Sequence, residues 1–251
     1  MISESGIAND LYKMFHVLFG GLKGGLAIGT MFMMVAISAM NGLSVAGMAI
    51  GATIALPEML KRNYDKRMIT GVVQAGSSLG ILIPPSVVMV LYGMIARQPV
   101  SKLWMAGILP GLLMASLFLI YIYVRCRLQP ELGPPLKKEE REVSNLEKIR
   151  LLKAGIIPFL IFFFMTGLFL MGIASLVECS AVGAFLATLA AIYKRRFNKQ
   201  VLENTLKKTL GVSCMFMWII LAALTFGAVF DGLGAGRAIE TLFIERWNLT
   251  P

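Results

Sequence analysis

The sequence predicts an all-α membrane protein: a multi-span helical bundle with a re-entrant helical hairpin and a proline-broken helix. Three observations carry this expectation. Charge is absent from residues 68–96, 103–124, 154–177, 179–193 and 209–230. A 38-residue apolar stretch, 20–57, has a polar, turn-prone middle. A double proline interrupts the uncharged 68–96 stretch. The chain is 57% hydrophobic and 15% charged, with a mean hydropathy of +0.75, whereas a soluble domain carries about 25% charged residues. A hydrocarbon core about 30 Å thick needs roughly 20 apolar helical residues. Most of the charge-free stretches meet that length, and 179–193 needs its flanks. No stretch alternates as a barrel strand does.

Residues 1–24 read as an amphipathic interfacial segment, with His16 at the interface rather than in a catalytic set. Residues 25–57 read as the re-entrant hairpin. The 20–57 stretch is too long for one span and has Lys23 as its only charge, and Met40-Asn-Gly-Leu-Ser44 splits it into two limbs of about 15 residues. Irregular backbone at membrane depth is tolerated only where it is buried in protein or lines a wet cavity, so a tip bearing Asn41 and Ser44 is a candidate site. Two tilted helices joined by a short turn remain the alternative.

Residues 58–124 read as a broken helix followed by a transmembrane helix. In Ser77-Ser-Leu-Gly-Ile-Leu-Ile-Pro-Pro-Ser86 the two prolines remove two amide donors and push the residues before them out of the α region. The carbonyls left open, with the hydroxyls of Ser77, Ser78 and Ser86, suit a small hard cation. Secondary transporters bind ions where discontinuous helices expose backbone in this way. A proline kink without a ligand is the alternative. Residues 125–153 read as a cytoplasmic loop with a membrane-surface helix, because Val143, Leu146, Ile149 and Leu152 recur at helical spacing. Residues 154–230 read as transmembrane helices and 231–251 as a periplasmic-side tail. Glu178 is the one acid in the 154–193 region; it is either a functional acid at the membrane edge or a solvated loop residue.

The basic loops 61–67, 125–153 and 194–208 hold four, eight and six Lys or Arg residues, eighteen of the chain's 24, against two in 97–102. The positive-inside rule therefore assigns the first three to the cytoplasm and 97–102 to the opposite side. The same rule accounts for the net charge of +10 without a nucleic-acid partner. Cys126, Cys179 and Cys214 lack metal or disulfide spacing. The Gly232–Gly236 glycines follow no strand and make no dinucleotide loop. With no Ser/His/Asp set, metal cluster or Walker loop, the sequence is not that of an enzyme, and no cofactor is expected.

At these residues the sequence resembles the large membrane subunit of TRAP (tripartite ATP-independent periplasmic) transporters. MNGLSVAGMAIGATIALP (40–57) is similar to that family's small-residue hairpin, and AGSSLGILIPPSVVMVLYG (75–93) to its double-proline broken helix. KLWMAGILPGLL (102–113) and AVGAFLATL (181–189) follow in matching order. The family's Pro-Thr-Glu-Ala run is here Leu176-Val-Glu-Cys179, so only Glu178 carries over. The family's subunit is longer at both ends and contains a second, inverted repeat. The chain thus resembles an internal fragment, or a truncated or split gene product, and is not expected to transport alone.

The resemblance implies one half of an elevator-type carrier in the bacterial inner membrane that imports a small organic anion, of the carboxylate class, with sodium as coupling ion. It implies as partners a small membrane subunit, a periplasmic substrate-binding protein and the lipid bilayer. It implies a sodium site from Asn41, Gly42 and Ser44 at the hairpin tip and Ser77, Ser78, Gly80, Pro84, Pro85 and Ser86 on the broken helix, largely through backbone carbonyls, with Ser44, Ser86 and Glu178 near the substrate. A sodium/anion symporter that works without a binding protein, and a non-transporting membrane remnant, are the competing readings.

Overall fold

The structure is a computed structural model and describes residues 6–135 and 145–242. Among these residues every regular element is helical. The chain divides into two compact units, Met1–Phe197 and Asn198–Pro251.

In the first unit, α1 (Ile7–Phe19) precedes a helical hairpin of α2 (Gly25–Asn41) and α3 (Ser44–Ile50). The second limb runs on through a π-helical turn, Gly51–Ala55, into α4 (Leu56–Lys61). The π turn has a local cause: Pro57 has no N–H for the Thr53 carbonyl one turn back, so the i→i−4 ladder cannot continue there. α2 is 17 residues long, about 26 Å at 1.5 Å per residue, less than the roughly 30 Å hydrocarbon core.

The feet of the hairpin stay together. The Leu26 amide donates to the Tyr64 hydroxyl at 3.3 Å, and Tyr64 is buried just beyond α4. Burial pushes its phenol up to about 12, so it stays protonated across the physiological range. Gly24 N donates to Gly133 O at 2.9 Å and Asp65 N to Leu132 O at 3.3 Å. The 61–67 loop and the start of the 125–153 loop therefore lie at one end of this unit.

From that end α5 (Lys66–Leu82) rises beside the hairpin, started by Asp65, whose carboxylate accepts from Arg67 N at 2.9 Å and Met68 N at 3.1 Å. α6 (Val87–Ile95) follows at a 42° bend. α7 (Val100–Leu128) returns to the first end and leads into a 3₁₀ turn, Pro130–Leu132. α8 (Asn145–Leu170) and α9 (Leu176–Tyr193) complete the unit. The second unit contains α10 (Lys199–Gly232), capped by the Asn198 side chain accepting from Val201 N at 2.8 Å, and α11 (Ala235–Thr241). α7, α9 and α10 are long and apolar enough to cross a membrane, and α5 with α6 makes one bent candidate span. The chain is a multi-pass helical membrane protein.

The core lies between α1, α2, α5 and α7 and is rich in methionine. Met31, Met33, Met34 and Met59 are fully buried beside Leu26, Ile37, Ile69 and Leu79. Met, with three rotatable bonds, fills irregular gaps well. Gly76 lets α5 approach α2 so closely that a Cβ there would lie 2.6 Å from Met34 Cβ.

Three of the expected segments take a more definite form at this level. Residues 145–153 do not form a separate surface helix: they are the first turns of α8, because no glycine or proline stands between Asn145 and Lys153 to break it. Val143 and the rest of 136–144 lie outside the described residues. Of the expected 1–24 segment, α1 is amphipathic, and its apolar face is buried in protein. Ala8, Leu11, Tyr12 and Met14 are buried, Gly29 of α2 sits against the Phe15 backbone, and Gly155 of α8 sits against Met14. Asp10 pairs with Lys194 at 2.6 Å and Arg196 at 3.4 Å, fastening α1 to the end of α9. Residues 1–5 lie outside the described set. The proposed 231–251 tail begins inside α10 and continues as α11, and residues 243–251 are not described.

Candidate functional site

The hairpin tip and the proline break meet. Gly42 follows the last residue of α2 with φ +64, a left-handed conformation open to glycine. A Cβ on it would run into the Pro85 carbonyl oxygen. The Val87 amide, first in α6, donates to the Gly42 carbonyl at 3.1 Å. Glycine is thus required at the tip twice over, by backbone conformation and by the closeness of the broken helix.

The break also mends part of itself. Pro84 and Pro85 offer no N–H to the carbonyls of Gly80 and Ile81. The Ser86 hydroxyl donates to Ile81 O at 2.6 Å and accepts from Met89 N at 3.3 Å. One side chain therefore closes the end of α5 and caps the start of α6. The expectation that both carbonyls stay open is corrected accordingly: Ile81 is served by Ser86, and Gly80 faces the proline that cannot serve it.

Ser77 and Ser78 turn their hydroxyls back onto their own helix, to Gln74 O and Ala75 O, both at 2.8 Å. Ser77 and Gly80 are buried and Ser78 half-buried. Ser44 opens α3, half-buried, and Asn41 closes α2. Four helix ends converge at this point. α2 and α5 present carbonyl-rich C-termini, and α3 and α6 present N-termini. Partial charges of about −0.5 and +0.5 attend such ends, so the place can receive a cation and an anion side by side.

Glu178 makes no hydrogen bond to these groups among the described residues. It is exposed in the first turn of α9 and forms a reciprocal capping box with Ser175. Ser175 N and Ser175 Oγ both donate to its Oε2 at 2.7 Å, and Glu178 N donates to Ser175 Oγ at 3.3 Å. Among the described residues its hydrogen bonds all run to Ser175.

Sequence reasoning missed the support behind the break. The indole of buried Trp104 donates to Ser86 O at 3.3 Å and meets Phe169 of α8 edge-on, with centroids 4.6 Å apart. Gly107 brings α7 against the break, since a Cβ there would lie 2.6 Å from Leu82 O, and Gly111 packs on Ile83. The signals were a tryptophan inside an apolar span, whose N–H needs a partner, and the Gly107-x-x-x-Gly111 spacing.

Comparison with known proteins joins this geometry to a family. The profile of the Tripartite ATP-independent periplasmic transporter, DctM component, matches residues 1–246. The C4-dicarboxylate TRAP transporter large permease protein DctM of Pseudomonas aeruginosa is 28% identical over 229 residues, 91% of this chain and 52% of that protein. Its namesake in Vibrio cholerae is 33% identical over 128 residues, 51% of this chain and 28% of its own length. The isethionate TRAP transporter permease protein DctMQ of Oleidesulfovibrio alaskensis is 32% identical over 122 residues, 49% of this chain and 19% of its own length. These relatives are transporter permeases, not enzymes. The chain spans about half the length of the first of them. With its polar-tipped hairpin lying on a double-proline break, the chain belongs to the DctM-component family of TRAP transporters.

Proposed function

We propose that the chain forms one half of the large permease in a sodium-coupled importer of a small organic anion in the bacterial inner membrane. The observation that carries this reading is the docking of the hairpin tip on the broken helix through the Val87–Gly42 hydrogen bond. Carbonyl oxygens at the ends of α2 and α5, the Gly80 carbonyl among them, would replace water around sodium. The N-terminal ends of α3 and α6 would favour the anion beside it. Ser86 contributes chiefly by fixing the shape of the break, and Ser44 at the tip would touch cargo. In this reading the tip and break move together past a fixed scaffold, as an elevator, and a small membrane subunit and a periplasmic binding protein complete the system. Relatives named for a C4-dicarboxylate and for isethionate support a carboxylate or sulfonate cargo.

The test is uptake of labelled dicarboxylates, keto acids and sulfonates into proteoliposomes holding this chain, a partner carrying the second repeat, the small subunit and the binding protein. Accumulation that collapses with the sodium gradient supports the reading. Accumulation that persists when potassium replaces sodium refutes it.

A further inference from the structure

A cavity lies away from the hairpin tip, at the end of the first unit where the 61–67 loop and the start of the 125–153 loop meet. It has a volume of about 710 Å³ and runs between α5 and α7. Its outer end is lined by Arg67, Arg125 and Gln129, and its length by Val72, Ala75 and Leu117, among other apolar side chains. Gly71 of α5 also lines it and is exposed, so that an added Cβ would meet nothing within 4 Å and a longer side chain has room to extend. The groove therefore grades from two guanidiniums to an apolar channel within one wall of the bundle. Asp65 also lines it, but its carboxylate accepts from the Arg67 and Met68 amides and is directed at the start of α5. Neither Arg67 nor Arg125 makes an ion pair among the described residues.

We propose that this groove binds an anionic phospholipid, with its phosphate between Arg67 and Arg125 and one acyl chain laid along Val72, Ala75 and Leu117. The polarity gradient selects this occupant. A free phosphate would leave the channel empty, and a neutral lipid would leave two charges at its mouth unmatched. Basic pockets between transmembrane helices at the positive side of a membrane hold lipid headgroups by this logic. The arginine fork suits phosphate oxygens better than a point charge does. Occupancy would also fill the gap between α5, which carries the break, and α7, which supports it.

The experiment is native mass spectrometry of the purified chain with added phosphatidylglycerol or phosphatidylcholine. Arg67→Gln with Arg125→Gln is expected to weaken phosphatidylglycerol retention roughly thirtyfold, as two phosphate contacts of ordinary strength imply. Lys61→Gln with Lys66→Gln, an equal loss of charge at residues that do not line the groove, should change it by less than threefold. Gly71→Leu, which fills the channel without altering charge, should lower retention of both lipids. The proposal is overturned if the two charge variants lose phosphatidylglycerol equally, or if Gly71→Leu leaves retention unchanged. Cross-linking of Leu117→Cys to a protein subunit instead of lipid in the assembled transporter would also overturn it.

Discussion

Gly42 is the position at which a single methyl group should do most damage. Its φ of +64 costs alanine about 1–2 kcal/mol, and the Cβ would also press on the Pro85 carbonyl. Gly42→Ala is therefore expected to destabilise the tip by about 2 kcal/mol or more, read as a fall in thermal unfolding temperature in detergent. An unchanged unfolding temperature would mean that the tip does not lie on the break. Ser86→Ala strips the hydroxyl from both Ile81 O and Met89 N, and should cost about 1–3 kcal/mol. Trp104→Phe keeps the ring against Phe169 but loses the bond to Ser86 O, and should cost about 1 kcal/mol. A serine before a helix is a common cap, so this role of Ser86 is readable from sequence beside the cation-ligand role expected of its hydroxyl. Trp104 is readable only as an N–H in need of a partner; which partner it finds, 18 residues away, depends on the path of α7.

Among elements, the hairpin and the break were the most legible, since both are written as local chemistry. A polar turn divides an apolar run too long for one crossing, and two prolines stop α5 at Leu82. The fate of α1 was not legible. Its amphipathic pattern states that one face is apolar, but α2 and α8 cover that face only once the chain has folded back. Nor could 145–153 be separated from the span that follows, because nothing in it breaks the helix. The start of α9 tests the part given to Glu178. Gln can replace Glu in a capping box, so Glu178→Gln should preserve helix stability and transport. Glu178→Ala should cost about 1 kcal/mol of stability. Transport lost in Glu178→Gln at normal expression would show that its charge acts on cargo and not only on Ser175.

For the molecule as a whole, the bonds from Gly24 to Gly133 and from Asp65 to Leu132 put two of the basic loops at one end of the first unit, and the charge asymmetry predicts that this end faces the cytoplasm. Single cysteines at Lys61, Glu131 and Gln200 in a cysteine-free background should resist an impermeant maleimide added outside cells, while Gln98→Cys should react. The opposite pattern would invert the topology. In the proposed function the hairpin tip and the proline break enclose a sodium site. The most direct measurement is the maleimide reaction rate of Ser44→Cys in the purified, assembled transporter, in sodium and then in potassium at equal ionic strength. Sodium is expected to slow the reaction at Ser44→Cys several-fold and to leave Gln98→Cys unchanged; equal rates in the two salts at Ser44→Cys would contradict a sodium site at the tip.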